Sequence, residues 1–259
     1  MSWFGTLFNE IFFRPLFNAL VFLTDVLPFH DLGLSVIILT LVVRLALFPL
    51  THRSVQTQQK MKFVEPELRK IKEDHKDRQE QARLTMELYK KHGINPFSGI
   101  LMLFIQLPIL IALYFVFIDD ISSGAKYLYS FVSLPEIIHT KFLGLIELTQ
   151  PSIFLAVLTG LSQFVQMKWA QVSKSSSRKG ANKKDRRPGD FSQMLTFQMT
   201  YMMPALIFFI ALRFPAAVSL YWTTINMFSI LHEGIVRRKA KILYGKRDQE
   251  NSRNDSNPN

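Results

Sequence analysis

The sequence contains no cysteine among its 259 residues. This absence excludes a disulfide framework, a thiolate zinc site, a cysteine nucleophile and a lipidated N-terminal cysteine. Signals of catalysis are also scarce. The six histidines lie in loops or at the edges of apolar runs, none with the HExxH spacing of a metal site, and no glycine-rich nucleotide loop is present. The sequence therefore predicts no enzyme, no metal and no cofactor.

Apolar residues and positive charge are what the sequence has in excess. Apolar residues make up 48% of the chain, 23 of them Phe, and 31 Lys and Arg against 20 Asp and Glu give a net charge of +11. A soluble domain of this length could bury one sizeable core, but it would not normally combine both properties. We therefore expect the two to be segregated along the chain.

Five stretches are long and apolar enough to cross a bilayer as helices. A helix of about 20 residues is about 30 Å long, which matches one hydrocarbon core. The sequence thus predicts an all-α integral membrane protein with five transmembrane helices. The predicted spans are 33–51, 93–118, 149–167, 191–212 and 213–236.

The N-terminal segment 1–32 has a different pattern. Its polar residues Glu10, Arg14, Asn18 and Asp25 recur on one helical stripe, opposite Phe and Leu. This pattern favours an amphipathic interfacial helix outside the membrane over a sixth span. Charge alone does not exclude the sixth span.

The cations gather in three segments. Of the 31 Lys and Arg, 26 lie in 52–92, 168–190 and 237–259, whereas 1–32 and 119–148 together hold 3 cations against 7 acids. Under the positive-inside rule the three basic segments are cytoplasmic, and the other two are extracytoplasmic. The N-terminus is then outside and the C-terminus is cytoplasmic.

The three basic segments differ in their predicted structure. In 52–92, residues 53–73 and 77–91 keep apolar positions at helical spacing, which predicts a cytoplasmic helical hairpin. In the basic loop 168–190, residues 171–190 are polar and predict disorder, as does the basic tail beyond Tyr244.

Arg44 lies near the middle of the first predicted span. A charge at that depth costs about 2.5–3.5 kcal/mol on insertion scales, so its side chain should face protein or water. The other four spans offer no acidic partner except Glu233, at a cytoplasmic edge. Snorkelling towards the interface, or capping of carbonyls freed by a proline, would also explain Arg44. The charge without a counter-ion instead favours a hydrated cavity.

Neutral polar residues form stripes on the other predicted spans. A single one is more simply explained by a hydrogen bond between helices, worth about 0.6 kcal/mol. Several stripes together with Arg44 favour a hydrophilic groove that binds a substrate. The candidate substrate-binding residues are Arg44, Thr40, Gln106, Thr159, Gln163, Gln166, Trp222 and Asn226.

Three stretches carry a resemblance to a known family. They are GINPFSGILMLFIQLPILIALYFVF at 93–117, MTYMMPALIFFIALRFPAAVSLYWTTINMFSILHE at 199–233 and GLSVIILTLVVRLALFPLT at 33–51. Together with RPLFNAL at 14–20 they resemble, in the same order, the YidC/Oxa/Alb family of membrane protein insertases.

The resemblance implies an insertase and chaperone for client membrane proteins in the bacterial plasma membrane. It implies a five-span core whose groove opens to the cytoplasm and the lipid, with Arg44 facing the groove and a peripheral N-terminal helix. Expected partners are nascent client proteins and the bilayer, with the Sec translocon, the ribosome and the signal-recognition receptor as further candidates. No nucleic-acid readout is expected. The short form, without a large periplasmic domain, is the expected type.

Two other functions stay open on the residues alone. A channel or small-solute transporter would use Arg44 as an anion site, but it would be expected to show inverted repeats, which the five runs lack. A structural assembly factor would bind partner helices without translocating any segment.

Overall fold

The computed structural model describes residues 3–75, 77–95, 98–118, 121–176 and 198–255. The described chain is mostly helical, with one short antiparallel β-hairpin. The elements are α1 (Trp3–Phe8), α2 (Arg14–Val26), α3 (Leu32–Ala46), α4 (Phe48–Phe63), α5 (Glu65–Asp74), α6 (Arg78–Lys91), α7 (Ser98–Ile118), β1 (Lys141–Phe142), β2 (Ile146–Glu147), α8 (Ile153–Ser176), α9 (Met203–Ala211) and α10 (Ala216–Asp255). A π-helical segment, Asn9–Phe13, joins α1 to α2, and another, Gln198–Met202, precedes α9.

The predicted helices differ from the observed ones at two breaks. The first apolar run is not one helix, since α3 ends at Ala46 and α4 begins at Phe48. The helix predicted at 53–73 is likewise divided between α4 and α5. Pro49 and Pro66 each follow a break at the second position of the new helix, where the missing N–H costs no hydrogen bond.

The C-terminal prediction was wrong in part. Helix α10 continues to Asp255, so the chain beyond Tyr244 is helical as far as that residue. Helix α8 continues to Ser176, so residues 171–176 of the loop predicted to be disordered are helical, and the rest of the basic loop 168–190 lies outside the described residues. The same is true of the first seven residues of the fourth run, 191–212.

Few helices within the described residues are both long enough and apolar enough to cross a membrane. Gly5–Val26 passes such a test, and Leu32–Ala46 passes it with Phe48–Met61 if the two are one bent span. Phe104–Ile118 and Thr200–Ala211 are shorter apolar helices. The count of five spans and the interfacial position of the N-terminal helix remain predictions.

The chain divides into two compact units. The first takes in Met1–Leu47 and Phe104–Ile230, and its core is built from α2, α3, α7, α8 and α10. Fully buried apolar side chains include Leu20, Leu113 and Val218. Helices α8 and α9 pack closely at Gly160, where a Cβ would lie 3.1 Å from the Cβ of Phe208.

The second unit takes in Phe48–Leu103 and Leu231–Asn259. Val64, Leu88 and Ile94 form its small buried cluster, which brings α5 and α6 together. Helix α4 contacts the later part of α10 through His52 Nδ1 and His232 Nε2, which lie 3.0 Å apart.

Asn18 fastens α2 to the segment that follows α7. Its amide nitrogen donates to the Tyr127 carbonyl at 2.9 Å, and its Oδ1 accepts from the Tyr129 backbone N–H at 2.7 Å. Asn18 is only 3% exposed. The sequence placed Asn18 on the polar stripe of an amphipathic helix, and in the structure this polar side chain is buried against protein.

The chain between α7 and α8 also holds the ends of two other helices. Asp31 caps α3 by accepting from Gly33 and Leu34, and its second oxygen accepts from the Leu143 N–H at 2.7 Å. The carbonyls of Leu148 and Gln150 accept from the first two backbone N–H groups of α10. Three helices of the first unit thus depend on this one connection.

Asn18→Ala tests the fastening of α2. We expect a loss of about 1–3 kcal/mol in unfolding free energy, because the backbone groups of Tyr127 and Tyr129 lose a buried partner. The measurement is reversible unfolding in detergent micelles, with Asn9→Ala in the preceding π-helical segment as the matched control. Equal stabilities of the two variants would show that these bonds contribute nothing.

Candidate functional site

Arg44 reaches a polar chain that links three apolar helices of the first unit. Its Nη2 donates to Gln106 Oε1 of α7 at 3.2 Å. The amide nitrogen of Gln106 in turn donates to the hydroxyl of Tyr221 on α10. Both ends of the Gln106 amide are used, so its orientation is fixed by its two partners.

The positive charge of Arg44 is compensated by dipoles and not by a carboxylate. Among the ion pairs of the described residues, none involves Arg44, which is half-buried. A guanidinium has five N–H donors, and one of them is used by Gln106. The remaining donors and the positive charge, which no carboxylate among the described residues neutralises, make this position attractive for an acidic or strongly polar ligand.

A second polar cluster joins α8 to α10. The hydroxyl of Thr159 lies 3.0 Å from both the Ser219 carbonyl oxygen and the Thr223 hydroxyl. One turn further along, the Asn226 amide donates to the Ser162 hydroxyl at 2.9 Å. These bonds hold the two helices together in the way that polar residues stabilise membrane helix pairs.

Two atoms of this cluster lack a protein partner. Ser219 Oγ and Asn226 Oδ1 are buried and have no hydrogen bond within the described part of the chain. An unsatisfied buried polar atom costs about 1–3 kcal/mol, and such atoms are rare in folded proteins. The contact between α8 and α10 therefore contains more polar atoms than its hydrogen bonds use.

The other four predicted site residues are not part of either polar cluster described above. Thr40 is buried and bonds the Val36 carbonyl of its own helix at 2.6 Å. Gln163 is 7% exposed, while Gln166 and Trp222 are half-buried. The structure therefore brings Arg44 together with Gln106, and it brings the Thr159 and Asn226 turns of α8 and α10 together in a separate cluster.

Sequence reasoning missed Tyr221 and Thr223. Tyr221 is 3% exposed, and its hydroxyl ends the chain that begins at Arg44. A tyrosine inside an apolar run is a usable signal, because its buried hydroxyl needs a partner. No group of three or more His, Asp or Glu side chains that could hold a metal occurs within the searched, described residues.

Comparison with known proteins shows what this chain is related to. The family model described as "60Kd inner membrane protein" matches residues 22–243. The chain belongs to the 60Kd inner membrane protein family. The resemblance read from the sequence motifs is thereby confirmed.

Members of the family with similar sequences bear insertase names. "Membrane protein insertase YidC" of Oceanobacillus iheyensis is 32% identical over 238 residues, which cover 90% of this chain and 84% of that protein. "Membrane protein insertase YidC 2" of Bacillus anthracis is 29% identical over 236 residues, covering 89% and 81%. A third relative, "Membrane protein insertase YidC" of Wolinella succinogenes, is 30% identical, and the match covers only 38% of that protein.

A solved structure has the same fold. The crystal structure of an active YidC insertase with its first transmembrane domain resolved matches with a TM-score of 0.55 at 22% identity. The match covers 89% of this chain and 46% of that protein, so this chain corresponds to about half of it.

Removing the Gln106 side chain tests whether it stabilises the charge on Arg44. We expect Gln106→Leu to lower the unfolding free energy by about 1.5–3 kcal/mol, since the bond is made to a charged group. The same change should cost clearly less in an Arg44→Met background, where no charge needs compensation. The measurement is a double-mutant cycle by unfolding in micelles.

Gln166→Leu is the matched control for that cycle, because Gln166 is a half-buried glutamine on another apolar helix. Its effect should be the same in both backgrounds. Equal costs of Gln106→Leu with and without Arg44 would contradict the coupling.

Proposed function

We propose that this protein inserts client membrane proteins into the bacterial inner membrane and assists their folding there. The observation that carries the proposal is the half-buried Arg44, bonded to Gln106 and facing no carboxylate among the described residues, in a chain of the 60Kd inner membrane protein family. The names of its relatives as insertases support it. Its partners are nascent client proteins and the lipid bilayer.

The proposed topology follows the charges. The chain crosses the membrane five times, with the N-terminus outside and the basic tail in the cytoplasm. The 52–92 segment is then a cytoplasmic helical hairpin, and the 119–148 segment is extracytoplasmic. The hydrogen bonds that fasten α2, α3 and α10 to this second segment support a closed outer side.

The proposed mechanism places a wet groove beside Arg44, open to the cytoplasm and to the lipid. A hydrophilic client segment would lose several kcal/mol per polar group on entering hydrocarbon, and the groove lowers that cost. Arg44 attracts acidic residues of the segment, while the apolar part of the client passes directly into lipid. No energy source is needed if apolar burial drives the final step.

The candidate residues divide into two roles in this mechanism. Arg44, Gln106, Gln166 and Trp222 are only partly buried and are proposed to contact the client. Thr40, Thr159 and Asn226 are buried in hydrogen bonds, and Gln163 is nearly buried. Their part is to hold the polar helix faces in place until a client separates them.

The remaining parts of the proposal concern the cytoplasmic side. The helices of the 52–92 segment are proposed to collect the client and to gate the groove. The Sec translocon, the ribosome and the signal-recognition receptor are candidate partners of this side. The basic residues of the tail also fit an anionic membrane surface.

The relatives named above give no support to a channel or transporter. Such a protein would need a water path through to both faces. Flux of a small anion through the reconstituted protein would favour it, and insertion of a client in the same liposomes without added partners would favour the insertase. The second result also excludes a purely structural assembly factor.

Replacing Arg44 tests its electrostatic role. We expect Arg44→Ala to lower insertion of clients with acidic translocated tails about fivefold, which corresponds to the loss of about 1 kcal/mol of charge attraction. Arg44→Lys should largely retain insertion, because the charge matters more than the bidentate geometry. The measurement is protease protection of a client panel in proteoliposomes.

The matched control is Arg213→Ala, which removes an exposed arginine from the turn before α10. Clients with neutral tails should be affected little by any of these changes. Equal insertion of acidic-tailed clients by Arg44→Ala and the wild type would refute the role.

A further inference from the structure

Two large apolar residues of the first unit lie in backbone conformations that such residues rarely adopt. Leu143 has φ of 50° and Phe29 has φ of 66°, both in the left-handed region. Bulky side chains are disfavoured there, whereas glycine and asparagine are tolerated. The side chains are also largely in contact with solvent, with Leu143 60% and Phe29 81% exposed. Packing within the described chain does not explain either residue.

Leu143 is part of the β-hairpin tip, which presents a second exposed leucine. The strands β1 and β2 pair at Phe142 and Ile146, and three residues connect them. Gly144 takes the second left-handed position, with φ of 73°. Leu145 follows it and is 84% exposed. The tip thus directs two aliphatic side chains away from the unit.

The tip is held firmly against the first turn of α3. The Leu143 N–H donates to Asp31, which also caps that helix. The ring of Phe142 packs directly on Gly33, where any Cβ would overlap it. Because α3 is a helix of the apolar core, its N-terminus marks the depth at which the tip lies.

A shallow hollow of about 620 Å³ separates the tip from Phe29. Apolar side chains of Leu34 and Ile138 contribute to its lining, and Lys141 and His139 stand beside them. Lys141 is exposed next to the leucines. An apolar surface bordered by a cation matches the acyl chains and phosphates of a phospholipid surface.

We propose that Leu143, Leu145 and Phe29 form an anchor that enters the outer leaflet of the lipid bilayer. The proposal rests on the membrane location and topology given under the proposed function, in which α3 begins at the outer surface. The leucines and the phenylalanine lie at the boundary of the acyl chains, and Lys141 lies at the level of the phosphates. The backbone strain is then offset by the transfer of apolar surface out of water.

The anchor has a consequence for the site. It includes the connection that bonds Asp31, the cap of α3, and Arg44 lies more than three turns further along that helix. The depth of Arg44 relative to the lipid is therefore set from the outer surface, while the cytoplasmic side stays free to admit a client.

A chain without cysteine allows a direct test on the full-length protein. A single cysteine at Leu145→Cys is labelled with a fluorophore sensitive to polarity, and the protein is reconstituted into phosphatidylglycerol-containing liposomes. We expect a blue-shifted emission that is quenched by lipids bearing a shallow doxyl group. Aqueous iodide should quench it severalfold less than a label at the matched control Glu136→Cys, an exposed position of the same connection.

Two results would overturn the proposal. One is an emission and quenching at position 145 that equal those of the Glu136 control. The other is shielding in native membrane vesicles but not in pure-lipid liposomes, which would mean that a protein covers the tip. Client insertion measured in the same liposomes separates the two proposals, because normal insertion with a water-exposed Leu145 position refutes the anchor and leaves the insertase intact.

Discussion

The positive charge of a guanidinium among apolar helices needs polar partners. The structure of the first unit depends on which groups supply them. Arg44 is bonded to Gln106, which is bonded to Tyr221, so that one polar chain connects α3, α7 and α10. A carboxylate would have neutralised the charge and closed the site to other anions. A neutral amide leaves most of the charge available, which suits the proposed attraction of polar client segments by Arg44.

The connection between α7 and α8 is organised in the opposite way from the Arg44 chain. The connection between α7 and α8 satisfies backbone or side-chain groups of α2, α3 and α10, through Asn18, Asp31 and the first N–H groups of α10. Bonds of this kind fix helix ends against one another, since each broken one would leave a buried polar group without a partner. In the topology proposed above, this connection lies on the outer side and the polar chain lies nearer the other end of α3, as the proposed groove requires.

The sequence was sufficient to predict the helical fold and the family, but it did not predict the side-chain contacts between distant segments. Long apolar runs, the segregation of cations and the motifs around Gln106 and Trp222 predicted a helical membrane protein of the right family, because these signals depend on composition and order alone. The break after Ala46 was missed, since an apolar run does not show where a proline divides it. Asn18 and Tyr221 were also missed as bonding partners, because each meets a segment about 110 residues away that no local pattern reveals.

Photocrosslinking from the position of Trp222 distinguishes a groove that binds clients from polar residues that only pack helices together. A photoreactive phenylalanine derivative placed there replaces one aromatic side chain with another, next to the residue that ends the Arg44 chain. We predict adducts with the hydrophilic segment of a stalled nascent client, and few from the same probe at Phe209, which is 63% exposed on α9. Adducts with lipid alone at Trp222 would contradict the groove and reduce the polar residues to helix packing.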